Sequence, residues 1–171
     1  MSHPPVRVTF FGGLGEIGRN MAAIEVDDRV AVIDVGVFFP NPEHLGVDLI
    51  LPDWSELHGR EVDAVFLTHG HLDHIGALPY FLQDFPDVTV YGTKLTLAFV
   101  KAILDEWEDI DPPEMVEVLP AEIVQHGPFT VEVIQVNHSI PDGCAYAFRT
   151  PHGIVVHTGD FKLDQTPVDG L

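Results

Sequence analysis

The segment that most constrains this chain is His69-Gly70-His71-Leu72-Asp73-His74, separated by Thr68 alone from the run Asp63-Ala64-Val65-Phe66-Leu67. Imidazole nitrogens and carboxylate oxygens are the donor set for an ion such as zinc, held at about 2.0–2.2 Å. The preceding run is short, apolar and β-branched, so it reads as a buried strand. The donors therefore leave the C-terminal end of a strand, where a rigid scaffold hands residues to loops. On an extended stretch His69 and His71 point to one side and can share one ion. Asp73 and His74, at the turn into a following helix, can point to a second. A merely solvated histidine-rich loop is the competing reading, and the buried strand in front of the cluster weighs against it.

Composition narrows how an ion can be held. The single cysteine, Cys144, forms no internal disulfide and makes no Cys-rich site, so histidine and carboxylate must serve, and there are ten histidines to draw on. A length of 171 residues fits one domain with a sizeable core. The formal charge of −19, from 27 acidic and 8 basic residues, repels phosphate backbones. The chain alone is therefore a poor non-specific nucleic-acid binder. A nucleic-acid substrate stays open, because bound divalent ions reverse the potential inside a cleft. No apolar run approaches the roughly 20 residues of a membrane span. Met1 to Arg7 lacks the layout of a secretory signal. A cytoplasmic protein without membrane contact is expected.

Strands are expected over Val6–Phe11, Met21–Val26 and Val30–Val35, the last two joined as a hairpin by Asp27-Asp28-Arg29. A helix is expected within Ile75–Phe85, a strand over Val88–Tyr91, and a Thr93-capped helix from about Lys94 to Trp107. Strands follow at Met115–Leu119, Glu122–Gln125, Phe129–Val136, Cys144–Thr150 and Ile154–His157. The fold class is α/β, as a layered sheet protein (α+β in its arrangement of layers). Gln165 to Leu171 reads as a connection that continues, so the chain has the look of a fragment.

Two further donors sit at strand ends. His138 follows Phe129–Val136, and Asp160 follows Ile154–His157 in Thr158-Gly159-Asp160. Singly, each reads as a structural or turn residue. Together with the first cluster they make three strand ends of one sheet converging on one site. Asp34, ending Val30–Val35, is a candidate for orienting a ligand histidine, and a loop-start aspartate is the equal alternative. Gly13-Leu14-Gly15-Glu16-Ile17-Gly18 fits the dinucleotide pattern G-x-G-x-x-G. That pattern works only when a helix follows to face the pyrophosphate, and here a hairpin follows. The reading is a tight glycine loop near the ligand end of the sheet. Cofactor-binding residues of that kind are not expected, and neither is a G-x-S-x-G nucleophile elbow.

The H-x-H-x-D-H run with a downstream His and Asp resembles the metallo-β-lactamase superfamily. More narrowly the chain resembles the ribonuclease J family of the β-CASP branch. The segments carrying that likeness are Phe11 to Asn20, Gly46-Val47-Asp48, Pro52-Asp53, Thr68 to Gly76, Asn137 to Asp142 and His157 to Lys162. The resemblance implies that His69, His71 and His138 hold a first metal, that Asp73 and His74 hold a second, and that Asp160 bridges them. Asp34 takes an orienting role. It implies a metallo-β-lactamase fold, with residues 1–171 as the N-terminal half of an αββα sandwich. The family's β-CASP insert and C-terminal completion, including one more histidine for the second metal, lie outside this sequence.

Two metals about 3.5–4 Å apart can share a hydroxide and clamp a phosphodiester. The resemblance implies RNA hydrolysis, 5′-to-3′ exonucleolytic as well as endonucleolytic, with Asp73 and Asp160 at the chemistry. Zinc suits the histidine-rich first position, and manganese or magnesium is admitted at the second. Implied partners are RNA, further copies of the chain as a dimer or tetramer, and other RNA-processing proteins. Two alternatives stand beside this. One is a thioester, lactone or β-lactam hydrolase of the same superfamily. The other is an inactive fragment serving as an interaction module.

Overall fold

A computed structural model describes residues 5–163. The readings placed on the first four residues and on Gln165 to Leu171 lie outside the described residues. Ten strands and three short α-helices, besides one 3-10 turn at Ser55–Leu57, run in the order β1 (Arg7–Gly12), β2 (Met21–Val26), β3 (Arg29–Ile33), β4 (Glu61–Phe66), α1 (Leu72–Ile75), α2 (Leu78–Asp84), β5 (Thr89–Gly92), α3 (Lys94–Leu104), β6 (Met115–Glu117), β7 (Ile123–His126), β8 (Phe129–Gln135), β9 (Cys144–Thr150) and β10 (Gly153–His157), counted among the described residues.

The strands form two sheets. The larger has the order β1-β2-β3-β4-β5-β6, and the smaller β10-β9-β8-β7. In the larger sheet β1 to β3 are antiparallel, whereas β3 to β6 run parallel. The smaller sheet is antiparallel throughout. The β2–β3 hairpin turns on Asp27 and Asp28, both at positive φ (54° and 63°). That is the backbone a two-residue turn needs to match strand twist, and Asp tolerates it.

Side-chain alternation explains the layers. Val30, Val32, Val65 and Leu67 face Ile75, Leu78, Phe81 and Val100 of the helical layer. Ala31, Ile33, Ala64 and Phe66 face Val131, Val133, Tyr146 and Phe148 of the smaller sheet. A central strand buried on both faces reads as an unbroken apolar run, as these do. Phe66 anchors the inter-sheet core, stacked on Tyr91 at 4.8 Å and edge-on to Tyr146 and Phe148 at 5.4 and 5.3 Å. The chain thus folds as helix layer, large sheet, small sheet. Both sheets of the expected sandwich are formed, and among the described residues helices cover only the large sheet's outer face.

Two local expectations need correction, and one is met with an addition. Strand β3 stops at Ile33, because Asp34 turns the backbone to φ 59°. The helix expected within Ile75–Phe85 is α2, and a separate one-turn α1 precedes it from Leu72, the two parted at Gly76-Ala77. The hydroxyl of Thr93 makes no capping bond to α3; it donates instead to the Asp142 carbonyl (3.0 Å).

Candidate metal centre

The site forms where strand ends of two different sheets meet, and not within one sheet as the sequence suggested. His69, His71, Asp73 and His74 leave β4 of the large sheet. His138 follows β8 and Asp160 follows β10 of the small one. Backbone bonds fix the juncture. Cys144 N donates to Thr68 O (2.9 Å), and Lys162 N donates to Asn137 O (2.7 Å), which ties the loops after β8 and β10 together. The Tyr146 hydroxyl donates to Leu67 O (2.8 Å). Gly159, at φ 56°, packs against Thr68 so closely that a Cβ there would sit 2.8 Å from the Thr68 Cβ. Only glycine permits that approach, and it delivers Asp160 beside His74.

Ring nitrogens of His69, His71 and His138 converge. His69 Nε2 and His71 Nδ1 are 3.0 Å apart, and His138 Nε2 lies 3.3 Å from the same His71 nitrogen. These three residues, and separately His69, His74 and Asp160, each present donor atoms within 4.8 Å of one another. Asp160 spans the two groups, with Oδ1 3.6 Å from His74 Nε2 and Oδ2 3.8 Å from His138 Nε2. Asp73 Oδ2 lies 3.7 Å from His74 Nε2, so Asp73 stands next to His74 but outside both three-donor groups.

Asp34 sits beneath, fully buried. Its carboxylate accepts from Thr68 N (2.8 Å), from the Thr68 hydroxyl (2.9 Å) and from His74 Nδ1 (2.7 Å). With Nδ1 committed to Asp34, Nε2 is the His74 atom left for the site, the arrangement by which carboxylates orient ligand histidines. His157 stays in β10, with Nδ1 accepting from Gly159 N (3.2 Å).

Electrostatics separate the histidines. Burial, then the neighbouring His74 charge, pushes His69 down to about 3, so its lone pair is free for an ion. Burial also opposes a charge on His74, but Asp34 and Asp160 overcome it and raise that group to about 10. Burial lowers His138 as well. Contact with His74 holds Asp160 down to about 2, a carboxylate under all ordinary conditions. Burial opposes ionisation of Asp34, and His74 beside it still holds the group below the ordinary range. Imidazoles of His69 and His138 pushed towards the neutral form, flanked by the ionised Asp160 carboxylate, fit a divalent cation.

Two participants escaped sequence reading. Asn20, closing the glycine loop, donates from Nδ2 to the Asp73 carbonyl (3.0 Å) and carboxylate (3.2 Å). Gly159 was named within a turn and a family-like segment, with no role of its own. Neither has a signal of its own in a single sequence, because each matters through a partner far along the chain. The glycine loop leads into strand β2, and no helix follows to face a phosphate.

Comparisons with known proteins agree with this geometry. Residues 14–169 match the family model described as Metallo-beta-lactamase superfamily. Ribonuclease J of Corynebacterium glutamicum is 45% identical over 167 residues, which is 96% of this chain and 23% of that protein. Ribonuclease J of Mycolicibacterium smegmatis is 47% identical over 96% of this chain and 30% of its own length. Ribonuclease J2 of Bacillus subtilis is 42% identical over 95% and 29%. The chain thus spans less than a third of the curated relatives it matches. Among solved structures, a protein of unknown function from Enterococcus faecalis superposes with a TM-score of 0.74 at 24% identity, covering 92% of this chain and 44% of that one. The Bacillus subtilis metallo-beta-lactamase fold protein YhfI superposes with a TM-score of 0.66 at 19% identity, covering 95% and 66%. The fold, the donor cluster at its strand ends and the family match agree: the chain belongs to the metallo-β-lactamase superfamily, with ribonucleases J among its relatives.

Proposed function

We propose that this chain is the metal-bearing, N-terminal part of the metallo-β-lactamase domain of a ribonuclease that hydrolyses RNA phosphodiester bonds, 5′-to-3′ from an end and also internally. The observation that carries it is the convergence of His69, His71, His138, His74 and Asp160 from two sheets. Relatives named ribonuclease J supply the substrate class.

In this reading His69, His71 and His138 hold a first ion, zinc by donor chemistry. Asp73 and His74 hold a second, zinc or else manganese or magnesium, and Asp160 joins the two. Ions bound there supply an activated water and neutralise charge as it develops on the phosphoryl oxygens. The chain's own residues do the positioning. Asp34 keeps His74 aimed with Nε2 outward, and Asp160 stays ionised to span both positions. Asp73, with Oδ2 3.7 Å from His74 Nε2, would orient the attacking water. The β-CASP insert and the completing segment belong to the rest of the protein, which works on RNA in the cytoplasm as a homo-oligomer, alongside other RNA-processing proteins.

The test uses the complete protein and 5′-monophosphorylated RNA. Replacing His69 and His71 together by alanine is expected to abolish cleavage and bound metal alike. Retained cleavage by that double variant overturns the proposal.

A further inference from the structure

The glycine loop and Asn20 are left over by the functional reading above, and their geometry points to one role. The loop starts and ends in contact with itself. A Cβ on Gly12 would strike the Arg19 carbonyl, and one on Gly13, at φ 79°, would strike Asn20 Oδ1. Closure on that scale admits no side chain at either position. The closed loop is then fastened to the segment after β3, by Arg19 N to Val37 O and Gly36 N to Asn20 O, both 3.0 Å.

What this fastening holds out is the Asn20 side chain. Its backbone N–H donates to the Asp73 carbonyl (3.1 Å), and Nδ2 meets the same carbonyl at 3.0 Å. Nδ2 also lies 3.2 Å from Asp73 Oδ2 and 3.1 Å from His74 Nε2. An amide nitrogen carries two hydrogens, and here it has three close polar neighbours. One of them, His74 Nε2, is the nitrogen that the proposed site gives to an ion. The two that remain both belong to Asp73, which matches the donor count. On the Asp73 carboxylate, the Asn20 amide at 3.2 Å is nearer than His74 Nε2 at 3.7 Å.

We infer that Asn20 is the positioning residue of the second ion position, fixing the Asp73 carboxylate there, and that the glycine loop serves to seat this amide and not to bind a phosphate. The inference rests on the two-ion reading of the site. Asn20 acts on an ion only through Asp73, so its effect must vanish when Asp73 is gone.

The experiment is a double-mutant cycle on the complete protein, read as metal binding and not as activity. Zinc is titrated against a competing chelator, and binding at the two positions is resolved for wild type, Asn20→Ala, Asp73→Ala and the double variant. Loss of an orienting partner costs about 10–100-fold in metal affinity. Asn20→Ala is therefore expected to weaken the second zinc at least about tenfold in wild type, leave the first within about twofold, and have little effect once Asp73 is alanine. Four results overturn the inference: unchanged second-zinc affinity in Asn20→Ala, equal weakening of both positions, the same loss with and without Asp73, or a wild-type protein that takes up only one zinc. Only the last also removes the two-ion reading; the other three leave it standing and refute the role of Asn20 alone. Gly13→Ala, which keeps the amide but crowds it, is expected to lower second-zinc affinity in the same selective way.

Discussion

Replacing Asp34 by asparagine isolates what the buried carboxylate does for His74. The shape is unchanged, and asparagine is at ease at φ 59°, so backbone strain is not a variable. The amide oxygen can still accept from Thr68 N, now at 2.8 Å. The other oxygen becomes an NH2 that faces the Thr68 hydroxyl and His74 Nδ1, at 2.9 and 2.7 Å. Two donors cannot share that gap, so His74 must present Nδ1 as acceptor and carry its proton on Nε2. That tautomer turns an N–H toward the site where a lone pair is needed. Loss of such a partner costs about 10–100-fold in metal affinity, or about 1.4–2.7 kcal/mol. Weakening a buried, charge-assisted bond adds about 1–3 kcal/mol of destabilisation. Zinc competition measures the first quantity, chemical denaturation the second, and the nitrogen-15 shifts of His74 report the tautomer. Second-zinc affinity within twofold of wild type, with the original tautomer retained, would refute the orienting role of Asp34.

Three further outcomes follow from the same structure. Metal uptake at His74 must displace a proton that the metal-free protein holds up to about 10. Zinc binding at pH 8 is therefore expected to release at least one proton, and affinity to rise with pH, measured as a buffer-dependent heat in calorimetry; a buffer-independent heat contradicts it. The same raised value gives the metal-free protein stability that is complete below about 6.5 and is lost as pH climbs towards 10. Phe66→Ala empties the centre of the inter-sheet core, where the ring is fully buried, and is expected to cost about 3–5 kcal/mol in denaturant unfolding. A cost under about 1 kcal/mol would mean the two sheets do not depend on that aromatic cluster.

Much of this was legible in the sequence because the signals were local. The run ahead of Thr68 is short, mostly apolar and reads as a buried strand, and the histidines follow it directly. His138 and Asp160 became candidates because each trails a strand. Their meeting place was misjudged, since strand order and sheet membership depend on pairings between residues far apart, such as Val131 with Phe148. The break between α1 and α2 and the early end of β3 were missed for a similar reason. Both are imposed by the site, which needs Asp34 turned inward and His74 held by Val35 N to His74 O at 2.7 Å. Asn20 was given no role of its own, standing two residues beyond a glycine motif whose better-known use draws attention to phosphates.

The split origin of the donors has a mechanical consequence. His69, His71 and His74 hang from one layer and His138 and Asp160 from the other, so an ion held by both sets is a rivet through the sandwich. A rivet of this kind exists only in the folded chain, so free ion at a hundred times its dissociation constant adds about 2.7 kcal/mol to folding. Stripping the ion would loosen the seam between the layers first at its strand-end rim, while the helix-covered face stayed closed. The persistence of the protein in a cell would then rise and fall with metal supply, independently of whether any substrate was present.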